Sequence, residues 1–253
     1  LVDESYLGPF LASATVLAKD DGGPQLCVGA IGASYPPACG GPLIANWDWD
    51  AVKHQTHAGV RFGSYVLQGS FDGTTFTLTA PAETFTGQEV PRVDDEVNLT
   101  PQCPEPVGGW RPADVSATTE ATLREALRLA QTLDGYAGAW VNERPRADDP
   151  TDTLLNVRTT ADVAATEQAL RRVWGGALCV SAAERTYAEL RQIRNELTDM
   201  RGALMIGIDV PAGQVDLRVI VATTQQQARL DESYGTGVVH LRGELVPLAG
   251  PGA

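Results

Sequence analysis

The sequence predicts an α+β protein: a small N-terminal all-β barrel of the OB-like kind, then a duplicated α/β domain with a mainly antiparallel sheet and helices on one face. Three observations predict it. From Phe10 to Ala80 apolar residues alternate between Gly- and Pro-rich corners, with no helical stripe. After Thr118 helical stripes and alternating runs take turns. The order helix, strand, strand, helix, strand then occurs twice. The expected divisions are a barrel at 1–85, a Pro-rich linker at 86–117 and the duplicated domain at 118–253.

In the first part, Ser13 to Lys19 and Gln25 to Ile31 flank Asp20-Asp21-Gly22-Gly23-Pro24, residues that tolerate turn conformations, so a hairpin is expected. A second hairpin turns at Asp72-Gly73, with Tyr65, Leu67 and Phe71 before it and Phe76 and Leu78 after it. Between the two lies the short apolar run Leu43-Ile44-Ala45. About five short strands point to a closed or nearly closed barrel, with a compact sandwich as the alternative. The linker carries prolines at 91, 101, 104, 106 and 112 and little periodicity.

The second part opens with the stripe Leu123, Leu127, Ala130 and Leu133, followed by strands at Tyr136 to Val141 and around Leu155 and Val157. A helix from Ala161 to Trp174 and a strand from Ala177 to Val180 complete the first unit. Ser181 three residues before Glu184 has the spacing of a capping box, ahead of a long helix whose inner face is Tyr187, Leu190, Ile193, Leu197 and Met200. In the second unit Leu204, Ile206, Ile208 and Val210 alternate, Pro211-Ala212-Gly213 turns, and Val215, Leu217, Val219 and Val221 alternate again. A helix from Thr224 to Tyr234 and a strand from Val238 to Leu245 close it. The best internal match sets Leu170 to Leu178 against Leu230 to Val238, sixty residues on.

With 32 acidic and 19 basic side chains the net charge is −13, which repels phosphate backbones, so nucleic acid is not an expected partner. No apolar run is long enough to span a bilayer, and the N-terminus lacks the regions of a signal peptide. The four cysteines lack CxxC spacing and nearby histidines, so two disulfides are expected instead of zinc, in an extracytoplasmic setting. Of the three pairings, Cys27 with Cys39 and Cys103 with Cys179 is favoured. The first closes a loop around Tyr35-Pro36-Pro37, and the second pins the linker to the second domain.

The segments Ala203-Leu204-Met205-Ile206-Gly207-Ile208-Asp209 and Gln214-Val215-Asp216-Leu217-Arg218-Val219 resemble the pro-regions of secreted alpha-lytic and streptogrisin-type proteases, over about Thr118 to Val246. The resemblance implies a sheet face that packs on a protease, hence a chaperone or inhibitor module. Leu26-Cys27-Val28-Gly29, Tyr35-Pro36-Pro37-Ala38-Cys39-Gly40-Gly41-Pro42, Trp47-Asp48-Trp49 and Tyr65-Val66-Leu67-Gln68-Gly69-Ser70-Phe71-Asp72-Gly73 look like a recurring segment of exported proteins and lipoproteins of high-GC Gram-positive bacteria. That likeness implies a location, leaves open a lipid anchor before Leu1, and implies no activity.

Five groups of residues are weighed for function. Asp216, Arg218, Ile220, His240 and Arg242 fall on the side of the last strands away from the alternating apolar set, an open face that a protein or surface partner can meet. His54 and His57, spaced HxxH beside Asp48 and Asp50, have the donor types of a transition-metal site, and a helix would bring both imidazoles to one side. That site would serve a metal-dependent hydrolase, against a default of exposed polar residues. Trp47, Trp49 and Tyr65 could line a ligand surface, or form core and rim. Asp94-Asp95-Glu96 and the loop bearing Arg144, Arg146, Asp148 and Asp149 read as solvated charge. Ser34 is not in a GxSxG elbow, and only three histidines could act as base for a nucleophile, so no catalytic constellation and no cofactor is expected. The leading expectation is therefore a non-enzymatic envelope or secreted protein that binds a partner.

Overall fold

The computed structural model describes residues 1–6, 8–19, 22–29, 32–85, 97–143 and 150–248. The chain is α+β, with a closed five-strand barrel, two three-stranded sheets and, among the described residues, four α-helices.

The barrel is made by β1 (Phe10–Lys19), β2 (Gln25–Leu26), β3 (Leu43–Ala45), β5 (Val60–Phe71) and β6 (Thr75–Leu78), with β4 (Gln55–His57) and β7 (Glu83–Thr84) added on β5. Neighbouring strands run β1-β2-β3-β6-β5, and β5 closes on β1 in unbroken antiparallel register from Phe10↔Gly69 to Lys19↔Val60. Only the β3–β6 pair in this ring is parallel. Two-residue periodicity supplies the interior: Phe10, Ala12, Val16 and Ala18 of β1 meet Tyr65 and Leu67 of β5, Phe76 and Leu26 in one buried cluster. Close approach explains Gly69, where a Cβ would strike the Phe76 ring and the Thr77 carbonyl. The β5–β6 turn is set by Asp72, whose Oδ1 accepts from the amides of Thr75 (2.7 Å) and Thr74 (2.8 Å), beside Gly73 at φ +97°.

The first sheet consists of β8 (Tyr136–Glu143), β9 (Thr153–Thr159) and β10 (Ala177–Ala182), with β9 central. β8–β9 is antiparallel. β9–β10 is parallel, which needs a crossover, and α2 (Val163–Arg171) provides it. On one side Leu155, Val157, Leu178 and Val180 bury against Ala126 and Ala130 of α1 (Glu120–Thr132) and against Leu170 and Trp174. On the other, Leu154, Ala177 and Cys179 pack on Cys103 and Trp110. There the carbonyl of Leu99 accepts from Trp140 Nε1 (3.0 Å) and Asn142 Nδ2 (2.9 Å). The C-terminal part of the expected linker thus covers the sheet. Residues 86–96, including Asp94-Asp95-Glu96, lie outside the described residues.

The second sheet has the order β11 (Ala203–Asp209), β12 (Gln214–Val219), β13 (Val239–Gly243). α4 (Thr224–Tyr234) starts at a capping box formed by Thr223 and Gln226. α3 (Tyr187–Leu197) starts at Thr186, which exchanges hydrogen bonds with Glu189; the cap expected at Ser181 is corrected, because β10 runs on through Ser181 to Ala182. A short β14 (Val246–Pro247) pairs with β1.

By contacts the chain forms two compact units that are not consecutive segments: Leu1–Asp95 with Asp199–Ile206 and Asp216–Ala253, and Glu96–Thr198 with Gly207–Val215. Within the second unit Arg158 explains why the β11–β12 turn belongs there. Its Nη1 donates to the carbonyls of Pro211 (3.0 Å) and Val210 (3.3 Å), and a Cβ on Gly213, at φ +71°, would run into its guanidinium. Burial pushes the Arg158 guanidinium below its usual range, opposed by the charges of Asp209 and Glu184.

Candidate functional site

Alternation on β12 and β13 sorts one side from the other: Val215, Leu217, Val219, Val239 and Leu241 are buried, while Asp216, Arg218, His240 and Arg242 share the opposite side. Asp216 stands between an arginine and a histidine, its Oδ2 at 2.7 Å from Arg242 Nη2 and its Oδ1 at 3.2 Å from His240 Nδ1. Arg218 pairs instead with Glu244 at 3.2 Å. The side chains of Arg242 (14% exposed) and Arg218 (18%) are mostly covered, whereas His240 (51%) is open to water. Ile220 is the exception to the expected open face, since it packs against the buried cluster of the barrel together with Leu204 and Val221. The strip therefore closes at its Ile220 end and opens at His240.

The HxxH segment is not helical. Gln55–His57 is a strand, with His57 opposite Val60, so the helical geometry that would have put both imidazoles on one side is replaced by extended chain. The His57 ring lies 4.8 Å from Tyr35, and the His54 ring 5.1 Å from Trp49, with its Nδ1 at 3.2 Å from the Val52 carbonyl. Asp48 Oδ1 accepts from the Asp50 amide at 2.9 Å, a local turn. Among the described residues no three His, Cys, Asp or Glu side chains gather closely enough to hold a metal ion.

Trp47, Trp49 and Tyr65 do meet, edge to face, with Trp47 centred 5.3 Å from Trp49 and 5.0 Å from Tyr65. Tyr65 is wholly buried, Trp49 nearly so, and both belong to the barrel core. Tyr65 donates to the Lys53 carbonyl at 2.7 Å, and burial raises its pKa. Arg61 stands 5.3 Å over the Trp49 ring, where its charge meets the π-face. Both cystines form as expected, Cys27–Cys39 and Cys103–Cys179. Arg144, Arg146, Asp148 and Asp149 lie outside the described residues.

Sequence reasoning missed a cleft of about 640 Å³ in the second unit, lined at the end of α1 by Gln131 and Asp134, on β8 by Tyr136 and on α3 by Tyr187 and Arg191. The Tyr136 and Tyr187 rings are 5.9 Å apart. Burial raises the Tyr136 pKa, with a smaller contribution from Tyr187. The cleft's trace in the sequence is that each tyrosine opens its element, β8 or α3.

Fold and site define a class, a disulfide-linked α+β protein with a closed barrel and a half-open charged sheet. No known family model matches the chain, and neither does any curated protein.

Proposed function

We propose that this is a non-enzymatic exported or cell-envelope protein that binds a protein or surface partner through the strip centred on Asp216, Arg218, His240 and Arg242. The observation that carries the reading is Asp216 bridging His240 and Arg242 on neighbouring strands. Charges already held in place lose little freedom when a partner arrives, and their arrangement selects a complementary surface. His240, half exposed, would make first contact.

Several features support the wider reading. Two disulfides are compatible with an extracytoplasmic location. Among the described residues no helix is long and apolar enough to cross a membrane; a lipid anchor before Leu1 is one way in which the protein would be held at the envelope. Counted in sequence, the barrel strands close in the order 1-2-3-5-4, with the third and fifth parallel, which supports an OB-like barrel. The recurring order of helix, strand, strand, helix, strand supports a duplication.

The test is crosslinking on the native cell surface, repeated with His240→Glu and Arg242→Glu. The captured partner should be lost with either substitution while the protein stays folded by circular dichroism. Equal capture by both variants would refute the placement. The protease-module reading predicts in addition that the full chain slows a streptogrisin-type protease; unchanged turnover removes it.

A further inference from the structure

We propose that the cleft between Tyr136 and Tyr187 binds a neutral saccharide, one or two sugar rings of a glycan chain. Its volume of about 640 Å³ falls within the usual range for small-molecule sites. A pyranose has an apolar C–H face and a rim of hydroxyls, so it needs an aromatic platform beside convergent donors and acceptors. Here the two tyrosine rings, 5.9 Å apart and inclined at 55°, supply the platform. Gln131 can both donate and accept, Asp134 accepts through two oxygens, and Arg191 donates through a planar fork. Among the described residues these three side chains and the two tyrosine hydroxyls form no hydrogen bond to the protein, so their capacity remains for a ligand. Gly135, Ala139 and Ala188 leave the remaining wall low.

Charge selects a neutral ligand over its rivals. The lining carries one carboxylate, Asp134, and one guanidinium, Arg191, so neither an anion nor a cation meets a site of one sign. A phosphate has a further obstacle at the start of α3. There the Thr186 amide already donates to Glu189 Oε2 at 2.7 Å and the Glu189 amide to Thr186 Oγ1 at 3.2 Å, and the Glu189 carboxylate would repel an incoming anion. This site shares no residue with the strip at Asp216, so the two proposals stand or fall separately.

The experiment is an amide NMR titration of the full chain with cellotetraose, chitotetraose and maltotetraose at millimolar concentration, with inorganic phosphate as a control. At least one saccharide should shift the amides of Gly135, Tyr136, Ala139 and Ala188, and phosphate should not. Tyr187→Ala should weaken that binding by about tenfold or more, as loss of an aromatic anchor does. Arg191→Ala, at an exposed position, should weaken it several-fold without disturbing the fold. No shift with any of the three saccharides, shifts confined elsewhere, a stronger response to phosphate, or undiminished affinity in both variants would each overturn the proposal.

Discussion

Along β9 every residue from Thr153 to Val157 is buried, whichever side of the sheet it faces, whereas along β12 buried residues alternate with half-exposed ones. The helix-facing sides of the two sheets follow the same logic of aliphatic side chains against amphipathic helices. Their other sides differ. In the first sheet the segment around Leu99, Cys103 and Trp110 is laid across it and tied by the Cys103–Cys179 bridge, so even Asn156 is buried and donates to Asn142 Oδ1 at 2.7 Å. In the second sheet the corresponding place is taken by ion pairs that Ile220 closes off at one end only. One side is thus given over to the core, while the other leaves His240 open to water.

If that contrast is right, damage should scale with cover. Replacing Cys103 and Cys179 by Ser should cost about 4.5 kcal/mol by the chain-entropy estimate for a separation of 76 residues, against about 3 kcal/mol for Cys27 and Cys39 at a separation of 12. Denaturant midpoints under oxidising conditions check the order, and a larger loss from the short loop would break the comparison. Trp174→Ala, on the helix side of the first sheet, should cost about 3 to 5 kcal/mol, because the ring is wholly buried and the cavity cannot collapse fully. On the second sheet Arg242→Ala should cost less, about 1.5 to 3 kcal/mol, since the pair is mostly covered but Asp216 retains His240. A loss as large as that of Trp174 would mean that the strip is structural.

The smallest effect concerns acid. Backbone hydrogen bonding at the cap of α3, first from Thr186, holds the Glu189 carboxyl below its ordinary value. Asp72 is held low by the amides of Thr75 and Thr74, and Asp114 by Ser116. A carboxyl lowered on folding adds stability above its unfolded pKa of about 4, and that stability is lost as pH falls through the folded value. Thermal midpoints should therefore drop below about pH 4, and Glu189→Gln should flatten that drop slightly. An unchanged profile would show that the cap carries none of it.

Local signals were legible where the chain's own chemistry decides. The T-x-x-Q spacing of Thr223 and Gln226 starts α4 where periodicity expected it, and Asp72-Gly73 makes the expected turn. Signals with two readings were settled only by packing. Ser181 and Glu184 have the spacing of a cap, as do Thr186 and Glu189, and pairing of Ser181 with Arg158 on β9 keeps the first pair out of the helix. The charged strip was legible from alternation at Asp216, His240 and Arg242, but alternation says nothing of what lies above a face, and so Ile220 was misplaced. The tyrosine cleft was invisible because its walls come from α1, β8 and α3, and no periodicity relates them.

By itself the chain determined its α+β class, the Asp72-Gly73 turn, the start of α4 and both cystine pairs, because these depend on contacts between residues near in sequence or on a small choice among four thiols. Tertiary structure alone decided which strands, β5 and β1, close the barrel, the cover laid over β9 and the half-open state of the strip at His240. Those outcomes depend on which apolar surfaces remain to be hidden once the local elements have formed, and burial has no direction that a sequence pattern records.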